Sequence, residues 1–232
     1  MTTTNEQVLV LHHSDGVDSG WLGVALDLAR VPVVTICLDA GDPLPDSIDW
    51  KGVVVLGGSM GAYEEADYPF LVAEKKFLAR IVEADVPVLG ICLGSQLLAD
   101  ATGGRAYQAS DPEAGFMAMT VTEAGLADPV FRHLPDKVLV THGDTFDLPP
   151  GAELLAYTDR YQHAYRVGSA LAVQFHTEAG ADLVELAVSR PGGGNIVAAG
   201  LNPADLVAEL RAAEAAYREQ ALRFFGAWVE SL

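Results

Sequence analysis

Aliphatic residues bunch into short runs over the first ninety or so positions: "QVLVLHH" (7–13), "VPVVTICL" (31–38), "GVVVLGG" (52–58) and "VPVLGICL" (86–93). The runs are nearly continuous rather than alternating, as in strands covered on both faces of a parallel sheet. Helical spacing fills the gaps. After Asp67 and Pro69, a cap and a first-turn proline, Phe70, Phe77, Leu78, Ile81 and Val82 recur on one helix face. Strands alternating with helices predict a doubly wound α/β fold around a mostly parallel central sheet.

The middle of the chain reads differently. "RAYQ", "FMAMTVT" (116–122), "KVLVTHG" (137–143), "AELLAYT" (152–158), "HAYRVG" (163–168) and "ALAVQFHTE" (170–178) crowd together between turns such as "LPPGAE" and "RVGSA". No long helix fits, and these segments predict antiparallel additions to the sheet. From Asn202 the period changes again. Asn202 is a cap, Pro203 fits a first turn, and Leu206, Leu210, Ala213, Tyr217, Ala221, Phe224, Trp228 and Leu232 trace a stripe by threes and fours. This predicts a long amphipathic helix packed on the domain or on another subunit, so a homo-oligomer stays open. "SRPGGGN" (189–195) is the expected hinge. Residues 1–190 are thus expected to form the domain, and 191–232 a linker and C-terminal helix.

Composition narrows the setting. With 232 residues, half of them hydrophobic, the chain can build one domain with an ample core. Fourteen Lys and Arg against 32 Asp and Glu give a net charge of −18, a surface that repels nucleic acid and anionic membrane. No apolar stretch reaches the roughly 18 residues of a membrane span, and no basic leader precedes the first apolar run. Cys37 and Cys92 form neither a disulfide framework nor a metal-ligand spacing, so a reducing cytoplasm is expected.

Candidate chemistry gathers at "VPVLGICLGSQ", where Gly90 and Gly94 flank Cys92. This G-x-C-x-G is the cysteine counterpart of the strained strand-to-helix elbow that presents nucleophilic serines. There the sulfur meets the start of a helix, whose N–H groups favour a thiolate, and the N–H of Leu93 faces any oxyanion formed at Cys92. A packed thiol is the alternative, and Cys37, with no glycine beside it, keeps that reading.

A nucleophilic thiol needs an imidazole base oriented by a third group. Of six histidines the choice is His176, which has a carboxylate two residues on, and in a strand "VQFHTE" puts His176 and Glu178 on one face. A second oxyanion donor is expected from "LGGSMG", with Gly58 the chosen N–H; the alternative is a turn whose glycines only supply positive φ. The spacing does not match a dinucleotide-binding G-x-G-x-x-G.

Taken together, "LGGSMG", "GICLGSQ" and "QFHTE" resemble, in order and separation, the class I (triad) glutamine amidotransferase domain, whose pattern is a Gly-Gly loop, a G-x-C-x-G-x-Q elbow and a late H-P-E. "GGRAYQASDPEAGF", "THGDTFDLPPGAELLA" and "HAYRVGSALAVQFH" extend the resemblance, which covers roughly residues 50 to 180 and looks like the stand-alone branch. The resemblance implies a flavodoxin-like fold with Cys92 as nucleophile, His176 as base and then acid, Glu178 as its orienting carboxylate, and Gly58 and Leu93 as the oxyanion hole. It further implies that Gln96, Thr141, His142 and Gly143 bind the α-amino acid end of the substrate; the plain reading of "THGD" is a turn capped by polar side chains. Thr177 replaces the family's proline between the two working residues, a change of backbone stiffness more than of chemistry.

The implied reaction is hydrolysis of the glutamine side-chain amide through a γ-glutamyl thioester, with no metal or cofactor required. Such domains usually deliver ammonia to a synthetase. The 232 residues are expected to hold no synthetase domain, so a stand-alone glutaminase-type subunit with a partner synthetase is expected. Two other functions fit the same residues: hydrolysis or transfer of another γ-glutamyl compound, and a non-catalytic binding or regulatory module.

Overall fold

The computed structural model describes residues 4–14, 19–189 and 194–232. Five parallel strands form the core of an eight-stranded sheet: β1 (Val8–His12), β2 (Val33–Cys37), β3 (Gly52–Val55), β4 (Val88–Ile91) and β10 (Ala170–Val173). Their order is β2-β1-β3-β4-β10, and antiparallel β9 (Gln162–Val167), β8 (Glu153–Tyr157) and β6 (Thr120–Val121) complete the sheet beyond β10.

The continuous aliphatic runs follow from burial on both faces. Val8, Val10, Val54, Leu89, Ile91 and Val173 enter one apolar cluster, while Leu9, Leu11, Val53, Val55, Val88 and Ala172 enter the other. Successive side chains of a strand point to opposite faces, so every position of a doubly covered strand must be apolar. Edge strand β2 alternates exposed and half-buried residues instead.

Helices α2 (Phe70–Glu83) and α3 (Leu93–Ala101) cover one face. Helix α1 (Gly20–Leu28) and the far half of α7 (Pro203–Glu230) cover the other, where Phe224, Phe225 and Trp228 are buried. Asn202 caps α7, its side chain accepting from the N–H of Ala204 at 3.0 Å, with Pro203 in the first turn. The near half of α7 packs Leu206, Leu210 and Tyr217 with Val184 of α5 (Ala181–Val188) and Ile196 of α6 (Gly194–Ala198). Leu232, the last residue of the predicted stripe, lies beyond the helix, and most of the expected hinge, residues 190–193, lies outside the described residues.

The antiparallel middle departs from expectation in one respect. β5 (Arg105–Met117) and β7 (Val138–Asp147) do not join the main sheet but pair with each other as a separate ribbon, irregular between Gln108 and Glu113. β7 bears out "KVLVTHG" as a strand and continues through "THGD", for which a turn is the alternative. The short helix α4 (Glu123–Ala127) lies between, capped by Thr122. Among the described residues no helix is long and apolar enough to cross a membrane.

Candidate active site

Three of the motifs end adjacent parallel strands. Gly57 and Gly58 follow β3, Cys92 follows β4, and His176 comes three residues after β10. The registers Val55↔Gly90 and Ile91↔Val173 align these strand ends, so the three loops meet at the carboxyl edge of the sheet, where open α/β sheets bind ligands.

Cys92 has φ +53° and ψ −108°, a left-handed conformation strained for any residue but glycine. Its neighbours hold it there. Its N–H donates to the Val173 carbonyl at 2.8 Å, and its own carbonyl accepts from the Ser95 hydroxyl at 2.6 Å. The flanking glycines serve close approach, since neither has positive φ. A Cβ at Gly94 would strike the Val55 carbonyl, and one at Gly90 would come 2.7 Å from the Gly94 carbonyl oxygen. Leu93 begins α3, so its N–H has no intrahelical acceptor.

His176 meets both partners. Its Nδ1 lies 2.7 Å from Glu178 Oε1, and the Cys92 side chain interacts electrostatically with its ring. Burial works against the imidazolium, but Glu178 and the Cys92 sulfur outweigh it and hold this histidine well above its ordinary range. Both residues lie in a loop beyond β10 and not in a strand, so loop anchors rather than strand alternation bring them together. The His176 N–H donates to Leu139 at 2.7 Å, its carbonyl accepts from the Tyr217 hydroxyl at 3.0 Å, and the Glu178 carbonyl accepts from the Trp21 N–H at 2.9 Å.

The Gly57–Gly58 peptide lies against these groups. A Cβ on Gly57 would be 3.2 Å from the His176 ring, and one on Gly58 would overlap Leu93 and Met60. None of Gly57, Gly58 and Gly61 has positive φ, so the turn alternative does not account for them. Beneath the loop sits a pair that sequence reasoning missed. His13 and Glu74 are fully buried; His13 Nε2 is 3.0 and 3.1 Å from the two Glu74 oxygens, and its Nδ1 is 3.3 Å from the Gly57 carbonyl. Both ring nitrogens face acceptors only, so both carry hydrogen; burial opposes that charge, but Glu74 prevails and raises this histidine. In a trans peptide C=O and N–H point opposite ways, so gripping the Gly57 carbonyl aims the Gly58 N–H away from His13.

Gln96 is buried, its amide nitrogen donating to Gln174 Oε1 (3.1 Å) and to the Asp144 carbonyl (3.3 Å). Gln174 in turn donates to the Cys92 sulfur at 3.5 Å. Its place two residues before His176 was the available signal. Of the loop residues, His142 converges with Gln96 on the Asp144 carbonyl, its Nδ1 at 2.9 Å. Thr141 lies on β7 with its hydroxyl buried and unpartnered, and Gly143 packs near Asn195 of α6.

The fold and this edge of the sheet define a class of protein. The family model for "Glutamine amidotransferase class-I" matches residues 25–185, and the chain belongs to that family. Over 147 residues it is 37% identical to a GMP synthase [glutamine-hydrolyzing] of Thermomicrobium roseum, an alignment covering 58% of this chain and 26% of that protein. Over 107 residues it is 37% identical to a glutamine amidotransferase-like protein of Salmonella typhimurium, covering 44% of this chain and 45% of that one. The chain thus spans less than half the length of these curated relatives. A crystal structure of a glutamine amidotransferase from Thermotoga maritima superposes with a TM-score of 0.85 at 29% identity, covering 97% of this chain and 99% of that one.

Proposed function

We propose that this chain hydrolyses the side-chain amide of glutamine through a γ-glutamyl thioester on Cys92 and releases ammonia for a partner synthetase. The observation that carries the reading is the convergence of a strained cysteine, an imidazole that interacts with it, and a carboxylate 2.7 Å behind that imidazole. In this reading residues 1–190 are the catalytic unit, with 191–232 its linker and closing helix, working in the cytoplasm.

The thiol proton rests on His176, as its raised affinity for a proton supports. The sulfur attacks the amide carbon, and the resulting oxyanion is taken by the N–H groups of Gly58 and Leu93, each donor typically worth about 10²–10³ in rate. His176 gives its proton to the nitrogen as the C–N bond breaks and ammonia leaves. A water then loses a proton to His176 and attacks the thioester, which frees glutamate and the thiol. Both amide hydrogens of Gln96 are engaged by protein acceptors, which leaves its oxygen to accept from the substrate's α-ammonium.

The synthetase partner is supported by the Thermomicrobium relative, whose name joins glutamine hydrolysis to a synthase. The test is incubation with glutamine and a panel of γ-glutamyl amides, with ammonia release and the intact mass of the protein as readouts. A thioester adduct that depends on Cys92 and forms best with glutamine is expected. Preference for another γ-glutamyl compound overturns the substrate, and no adduct with any of them overturns the enzyme.

A further inference from the structure

Away from the sulfur, the two sheets bring together three buried side chains that the amidotransferase chemistry does not use directly as a set. Glu113 of β5 and His142 of β7 are register partners in the ribbon, and His163 reaches them from β9 of the main sheet. They are 6%, 2% and 0% exposed, and their candidate ligand atoms all lie within 4.8 Å of one another.

Hydrogen-bond accounting at His142 exposes a conflict. The Asp144 carbonyl can only accept, so the His142 Nδ1 facing it at 2.9 Å carries the hydrogen. In the neutral ring Nε2 is then a bare lone pair. That nitrogen is buried, has no hydrogen-bond partner, and stands 3.4 Å from Glu113 Oε2. His163 Nε2 is 2.7 Å from the same oxygen, while its Nδ1 is also buried and unpartnered. A lone pair aimed at a carboxylate oxygen in a dry interior is unfavourable, and either a proton or a metal ion between them relieves it.

We propose that Glu113, His142 and His163 form a binding site for one divalent transition-metal ion of the zinc class. Two imidazoles and one carboxylate are a ligand set such ions favour, with bonds of about 2.0–2.2 Å. Tetrahedral bonds of that length put neighbouring donors about 3.3–3.6 Å apart; His142 Nε2 and Glu113 Oε2 already stand 3.4 Å apart, and the His163 Nε2 pair at 2.7 Å opens as the ion replaces the shared proton. Replacing the His163 Nε2 proton with the metal moves that proton to the orphaned Nδ1. The ligands are held from behind in the usual way: the Asp144 carbonyl orients His142, and the Thr158 hydroxyl donates to Glu113 Oε1 at 3.0 Å. Thr158, Tyr161 and Gln162 line a surface depression, and Thr158 from its lining touches Glu113. The ion would clamp the ribbon to the main sheet and, through the carbonyl that His142 shares with Gln96, stiffen the substrate side of the active site.

The test is calorimetric titration of the chelator-treated full chain with zinc ions in a Cys92→Ala background, which removes the thiol as a competing ligand. Cobalt(II) uptake, read by its visible absorption, is the second measurement. About one ion per chain is expected, with binding weakened at least about 100-fold in both Glu113→Gln and His163→Gln and by a smaller factor in Thr158→Val. No saturable uptake, or uptake unchanged in Glu113→Gln and His163→Gln, overturns the site. If either ligand variant fails to fold, by circular dichroism, the parent titration and the Thr158→Val shift decide. Glutaminase activity enters none of these readouts, so this site and the proposed reaction stand or fall separately.

Discussion

Two imidazoles, each held by a carboxylate, reach the Gly57–Gly58 peptide, yet they are built for different work. His176 keeps 17% of its side chain exposed and faces a thiol, and its carboxylate comes from two residues further along the same loop. His13 is wholly buried and faces a carbonyl, and its carboxylate comes from a different element, α2. An imidazole open to substrate and water can pass its proton to a leaving group and take another. One sealed in the core keeps its proton and can only position what it grips. In the proposed reaction similar pairs thus serve chemistry in one place and geometry in the other, with solvent access deciding which.

The comparison breaks most sharply at the sulfur and its base. Cys92→Ala, and separately Glu178→Gln, are expected to lower glutaminase kcat by about 10⁴-fold or more, with little further loss when combined. Steady-state ammonia release measures this, and residual activity near wild type would dismantle the reading of the pair as catalytic. His13→Gln should cost about 10²-fold in kcat with KM nearly unchanged, the scale of one misaimed oxyanion donor. A loss as large as that of Glu178→Gln would mean that the buried pair takes part in proton transfer, and that the distinction drawn from solvent access is wrong.

Smaller effects sharpen the picture. Gln174→Leu removes the amide hydrogen bond to the sulfur, and a loss of about tenfold or somewhat more in kcat/KM is expected from single-turnover kinetics. The mildest test is the pH dependence of stability. Both imidazoles are raised above the ordinary value of 6.5. A group raised in the folded state gives stability that is complete below its unfolded value and lost as pH climbs through the folded one. The wild-type melting temperature should therefore fall as pH rises above about 6.5 toward the folded values. The His13→Gln chain should show a flatter fall over the same window by circular dichroism; an equal slope would mean that His13 does not hold the extra proton.

Much of this was legible in the residues. The parallel strands read as aliphatic runs because double-sided burial leaves the inner ones no polar position, and α7 read as a stripe running to Leu232, whose members Phe224 and Trp228 are buried in its far half. Glu74 sat hidden in the apolar face of α2, since periodicity shows only that a position is buried and not what a buried charge pairs with. The His176–Glu178 spacing pointed to the pair for a strand reason, while the structure joins them in a loop pinned by β7, α1 and α7.

By itself, the sequence determined the alternation of elements, the glycine-flanked elbow, the imidazole–carboxylate pair and the family they resemble, because each is written in neighbouring residues whose burial and backbone needs are local. Only the tertiary structure decided that β3, β4 and β10 lie side by side, that β5 and β7 leave the main sheet, that His13 finds Glu74 sixty-one residues away, and that Glu113, His142 and His163 share one buried spot. Those juxtapositions depend on which distant strands pair and which helix covers them. That is settled by packing of the whole chain, and no short window of residues records it.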